Sequence, residues 1–142
     1  MLCVIGGACS GRRALVAERY PDASWHRLGA AESPGAWASR RAAGGILVVS
    51  GWAAWLEARL ARTADDQAVR AAWRDQLAAL GEWECEPGGE ALLILDEMGG
   101  GIVPMAPEAR RLRDLNGWLN QAVAARCRGV WQVRHGLCKR LK

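Results

Sequence analysis

Residues 91–104 read ALLILDEMGGGIVP, a short apolar run that ends in two acids and then breaks into three consecutive glycines. Leu92, Leu93, Ile94 and Leu95 follow one another without polar alternation, the pattern of a strand covered on both faces in the parallel sheet of an α/β protein. Asp96 and Glu97 then stand at its carboxyl end. In open α/β sheets ligands bind at that end, where acids can hold Mg²⁺ directly or through water, or accept a proton from a nucleophile. Taken alone, the stretch also reads as an acidic strand end followed by a glycine turn.

A second junction of the same kind opens the chain. Residues 2–5 form an apolar strand that runs into GGACSGRR, after which Ala14, Leu15 and Ala17 begin a helical pattern ending near Tyr20 and Pro21. On the phosphate-loop pattern GxxxxGK[ST], Gly6 and Gly11 fall in place, with Arg12 at the lysine position and Arg13 at the Ser/Thr position. Backbone N–H groups and a helix N-terminus cradle phosphate in such a loop, and those features need only the glycines and the geometry. An arginine fork is larger than a lysine ammonium and prefers a bidentate grip, and Arg13 has no hydroxyl to offer a metal ion. A plain glycine turn is the other reading of this loop.

The 142 residues suit one domain with a real core, and 51% hydrophobic content argues against disorder. The net charge of +4 comes mostly from arginines that are scattered among acids, so it fits small anionic ligands such as nucleotides as well as nucleic acid. Nucleic-acid binding has only this charge and the tryptophan content behind it, and none is expected. Five cysteines, Cys3, Cys9, Cys85, Cys127 and Cys138, show neither CxxC spacing nor a histidine pair nearby, which reads as reduced thiols in a cytoplasmic protein. No stretch has the length or flanks of a signal peptide or a membrane span.

Between the two junctions, residues 25–28 read as a second short strand and residues 30–45 as a loop with a possible helical turn. GILVV at 45–49 is another buried-strand run, followed by Trp52, Trp55, Leu56 and Leu60 at helical spacing, with the tryptophans as core. From Thr63 an amphipathic helix is predicted, capped by Thr63 or Asp65, burying Val69, Ala72, Trp73, Leu77 and Leu80, and stopped by Gly81. Residues 82–90 then read as a loop. Pro107 opens a long helix to about Arg126 with Leu112, Leu115, Leu119 and Val123 as its stripe. Asn116, Asn120 and Gln121 on that helix read either as surface residues or as buttresses for a loop or subunit. A strand at 130–133 and a turn at Gly136 lead to the last segment, 137–142.

Strand, phosphate-type loop, helix and a later strand ending in Asp-Glu is the order of a P-loop nucleotide-binding fold. Four stretches together resemble the bifunctional adenosylcobinamide kinase/adenosylcobinamide-phosphate guanylyltransferase family of cobalamin biosynthesis: GGACSG, DEMGGGIVP, RDLNGWLNQAVAA at 113–125, and VWQVRHGLCKRLK at the end. The corresponding family patterns are GGxxSGKS, NExGxGIVP, RDxxGxxNQxxA, and a strand and glycine turn ending in a basic tail. The resemblance implies a RecA-like, mostly parallel sheet flanked by helices and a homo-oligomer, a trimer in the family. It implies two activities on nucleotide and corrinoid substrates: phosphorylation of the cobinamide aminopropanol hydroxyl, then transfer of GMP from GTP to that phosphate.

Carried over residue by residue, the resemblance makes Gly6, Gly7, Ala8, Cys9, Ser10, Gly11, Arg12 and Arg13 the nucleotide-binding set, for ATP or GTP with Mg²⁺. It makes Asp96 and Glu97 catalytic, with Asp96 at the metal. The family's guanylyl transfer runs through a covalent histidine in an HH motif before the GILVV-type strand, but that interval is shortened and residues 30–44 contain no histidine. His26 precedes the expected place and His135 lies in the C-terminal turn, and each reads as structural or surface. Where the family carries an acid and a cysteine after the GILVV-type strand, this chain has Val49 and Ser50. Two readings stand side by side: an enzyme of cobinamide assembly, and a catalytically silent homologue that keeps the fold and nucleotide binding as a partner or regulatory subunit.

Overall fold

The computed structural model describes residues 1–30, 32, 35–37, 45–85 and 87–142, so the loop expected over 30–45 lies largely outside the described residues. In chain order the elements are β1 (Leu2–Gly6), α1 (Arg12–Arg19), β2 (Ser24–Arg27), β3 (Ile46–Ser50), α2 (Trp52–Leu60), α3 (Asp66–Glu84), β4 (Glu90–Asp96), α4 (Pro107–Arg126), β5 (Gly129–Arg134) and β6 (Leu137–Arg140). The strands form one sheet of order β2-β3-β4-β1-β5-β6. All neighbours pair in parallel except β5 and β6, which are antiparallel.

The run in β4 lacks polar alternation because both its faces are covered. Ala91, Leu93 and Leu95 join the larger core with residues of α2, α3 and α4, including Trp52, Trp55, Trp73 and Leu119. Leu92 and Ile94 point the other way, into a smaller core with Leu2, Val4, Val16 and Val133. Helix α1 therefore covers one face and α2 to α4 the other. The loops leaving β1 and β4 diverge to opposite faces, which opens a crevice between the carboxyl ends of these two adjacent strands.

Helix α3 begins as predicted, with the Asp65 carboxylate accepting from the backbone N–H groups of Gln67 at 2.8 Å and Ala68 at 3.2 Å. It does not stop at Gly81 but runs on to Glu84. The extra turn is held by tertiary contacts: Trp83 is buried edge-on against Trp37, with ring centroids 6.0 Å apart. The Glu84 carboxylate accepts from the N-terminal ammonium at 2.6 Å and from the Ala91 N–H at 2.9 Å. A Cβ at Gly81 would meet nothing within 4 Å. Gly81→Ala is thus expected to stabilise the fold by roughly 0.5–1 kcal/mol through helix propensity, read as a raised midpoint in urea with unchanged slope.

The last segment is more than a tail. Leu137–Arg140 pairs with β5 through a two-residue turn in which His135 (φ 54°) and Gly136 (φ 76°) both adopt positive φ, as the favoured hairpin turns require. Gly136 then donates its N–H to the Ser10 carbonyl at 2.9 Å, which ties the hairpin to the loop after β1. No helix among the described residues is long and apolar enough to cross a membrane.

Candidate nucleotide site

The loop after β1 owes its shape to close backbone contacts. Gly6 ends the strand where a Cβ would lie 2.5 Å from the Val133 carbonyl and 2.6 Å from Ser10 Oγ, so no side chain fits. Cys9 takes the left-handed conformation (φ 55°), and Gly11 (φ 91°) leads into α1. Among the described residues the first turn of α1 has neither a capping side chain nor an acid, the setting in which helix N-termini accept anions. Gly6, Gly7, Ala8, Cys9, Ser10 and Gly11 therefore form a glycine-rich loop between a parallel strand and a helix N-terminus.

Arg12, at the lysine position, turns back into this loop. Its Nη1 donates to the carbonyls of Gly6 and Gly7, at 2.6 Å for Gly7, and its Nη2 donates to Asp96 Oδ1. Asp96 is thus an ion-pair partner of the loop arginine. The Arg13 guanidinium lies 5.5 Å from the Trp25 ring centroid. The two acids that adjoin in sequence diverge in space, as successive strand residues do. Asp96 faces Arg12, whereas the Glu97 carboxylate accepts from Gln132 Nε2 at 3.1 Å on the β5 side. Only the Glu97 backbone N–H joins the loop, donating to the Gly6 carbonyl at 2.9 Å.

Of the three amides of α4, Asn116 and Asn120 turn out to be buttresses, while Gln121 is exposed. Asn116 and Asn120 both donate through Nδ2 to the Asp96 carbonyl, at 2.7 and 3.0 Å, and fix the end of β4. The turn at Gly136 is expected from the sequence, but Gln132 and the pairing of the last segment with β5 gave no sequence signal, because their roles depend on which strands become neighbours. His26 is buried with Nε2 2.8 Å from a Glu32 carboxylate oxygen, an arrangement that suits a structural role.

Two cavities flank the end of β4. One, of about 240 Å³, is lined by Arg12, Arg13, Arg27, Ser50, Gly51 and Asp96. The other, of about 420 Å³, lies toward α4 and is lined by Glu97, Met98, Arg113, Asn116, Trp118 and Asn120 among others. A larger cavity of about 790 Å³ lies on the α1 face of the sheet, among Leu15, Tyr20, Trp131 and Arg140, and shares no residue with the loop or the acids. The strand ends, not cavity size, mark the chemistry in this architecture.

The donors at Asp96 suit a divalent cation poorly. Its carboxylate is engaged by a guanidinium that stays charged in proteins, and position 13 supplies no hydroxyl. A cation on the same carboxylate would face that guanidinium at contact range, where like unit charges cost about 4 kcal/mol at an effective dielectric of 20.

The thiols divide by burial. Cys3 and Cys127 are buried, and a hydrogen bond to Cys127, with desolvation added, pushes the Cys3 thiol up. Cys9, Cys85 and Cys138 are exposed and all five are unpaired. Iodoacetamide is expected to label these three residues in the native protein and all five after denaturation, read by intact mass. Bound nucleotide should shield Cys9 alone.

A glycine loop between a parallel strand and a helix, with an acid on the adjacent strand, defines a P-loop nucleotide-binding type of α/β domain. The chain belongs to the cobinamide kinase/cobinamide phosphate guanyltransferase family, whose model matches residues 16–141. It is 35% identical over 136 residues to the bifunctional adenosylcobalamin biosynthesis protein CobP of Pseudomonas aeruginosa, covering 93% of this chain and 74% of that protein. It is 40% identical over 53 residues to the bifunctional adenosylcobalamin biosynthesis protein CobU of Escherichia coli, covering 37% of this chain and 29% of the relative. The family match begins beyond the glycine loop, so the reading of that loop rests on the geometry above.

Proposed function

We propose that this chain binds the polyphosphate of ATP or GTP at residues 6–13 and transfers a phosphoryl group to the hydroxyl arm of adenosylcobinamide in cobalamin biosynthesis. The observation that carries the reading is the crevice between β1 and β4, where the loop, the α1 N-terminus and Arg12 converge beside Asp96. Arg12 would stabilise charge developing on the transferred group, as preorganised cations do in phosphoryl transfer. Glu97, on the neighbouring cavity, is the candidate base for the acceptor hydroxyl. Transfer of GMP, if it occurs, would proceed by direct attack or from a nucleophile other than the family's histidine, since residues 30–44 contain none. We place the protein in the cytoplasm as a homo-oligomer, in keeping with its five unpaired thiols and with the family resemblance.

A specific observation favours a second reading, the catalytically silent homologue: Arg12 already satisfies Asp96 and two loop carbonyls within the chain. The test is to incubate the protein with adenosylcobinamide, ATP and GTP, with and without Mg²⁺, and to identify corrinoids by mass. The phosphate product supports the kinase reading and GDP-cobinamide would show that both steps survive. Unchanged substrate beside an active family control selects the silent reading.

A further inference from the structure

The geometry points to a phosphate site in which guanidinium groups take the place of a divalent cation, so that this chain binds the polyphosphate of a nucleotide without Mg²⁺. The inference rests on the reading that residues 6–13 hold a nucleotide. A P-loop site ordinarily places a cation between a strand-end acid and a hydroxyl in the first turn of the helix. Both positions are altered in this chain. Asp96 accepts a hydrogen bond from Arg12, and the hydroxyl position is Arg13, packed over Trp25. Glu97 is turned toward Gln132, and Ser50 at the end of β3 donates its hydroxyl to the His26 carbonyl at 3.4 Å.

What replaces the metal site is a basic cavity. Arg12, Arg13 and Arg27 line it against the single carboxylate of Asp96, which leaves the walls net positive. The β3–α2 turn opens the space: Gly51 (φ 85°) heads α2, a Cβ there would lie 2.9 Å from Arg27 Cγ, and the first turn of α2 carries no acid. Arg12 Nε is buried and, among the described residues, has no hydrogen-bond partner. An anion with several oxygens fits such walls, whereas a bare divalent cation is repelled by them.

The experiment is a titration of the intact protein with ATP, in EDTA and in excess Mg²⁺, followed by calorimetry and by tryptophan fluorescence. Dissociation constants agreeing within about threefold are expected. Mn²⁺ alone, followed by electron paramagnetic resonance, should not bind. The pair Arg12→Lys with Arg13→Ser, which restores the lysine and the hydroxyl, should make ATP binding at least about tenfold tighter with Mg²⁺ than without. Wild-type binding that tightens tenfold or more on adding Mg²⁺ would overturn the inference while leaving the nucleotide reading intact. Absence of ATP binding in both buffers would overturn both.

Discussion

Gly6→Ala is expected to lower the stability of the domain by about 3 kcal/mol and its melting temperature by roughly 10 °C. The new methyl group would lie 2.5 Å from the carbonyl oxygen of Val133 and 2.6 Å from Ser10 Oγ. The first is backbone of a paired strand and cannot rotate away, so β1 and β5 must separate or the loop must move. Either response displaces the Gly6 carbonyl, which accepts from both Arg12 and the Glu97 N–H. ATP binding should weaken by at least about tenfold in the same variant. Gly7→Ala is the control, since a Cβ there meets nothing within 4 Å and its stability should change little. Equal melting shifts for the two variants would show that the contact at Gly6 is not what shapes the loop.

Asn116→Asp is expected to cost about 3 kcal/mol, because it turns a buried donor into an acceptor at a point where a donor is needed. Asn116 is 2% exposed, and its Nδ2 lies 2.7 Å from the Asp96 carbonyl. A carboxylate there would face that oxygen lone pair to lone pair, and its charge would be buried without a partner. Asn120→Asp should cost less, since Asn120 is the longer of the two donors at 3.0 Å and is only partly buried. Urea denaturation of both variants checks the order. If they lose equal stability, the α4 amides do not grip the end of β4 as a graded pair.

Much of the frame is legible in local sequence, for a physical reason. A strand buried on both faces must be apolar at successive positions, and 91–95 and 45–49 declare themselves that way. The Asp65 cap and the Pro107 start are equally local, because helix ends need side-chain or proline chemistry within a turn. The signal fails where a partner supplies the stabilisation. Strand β6 is exposed at all four positions and is held by backbone pairing to β5, so no hydropathy pattern announces it. Helix α3 passes Gly81 because Trp83 and Glu84 find partners distant in sequence.

Local sequence is enough to read an α/β domain with a glycine loop after its first strand, acids at the end of another, and the family signatures at 96–104 and 113–125. Each is a short-range pattern imposed by burial or by backbone conformation. How those pieces act on one another is set by the packing of the sheet and helices. That Asp96 faces Arg12 while Glu97 faces Gln132 depends on β1 lying between β4 and β5 in the sheet, which no local window contains. That two asparagines brace the Asp96 carbonyl, and that three arginines from α1 and β2 share one cavity, follow from the same packing. Charges and donors act over a few ångströms, and residues far apart along the chain reach that range only when the sheet is assembled.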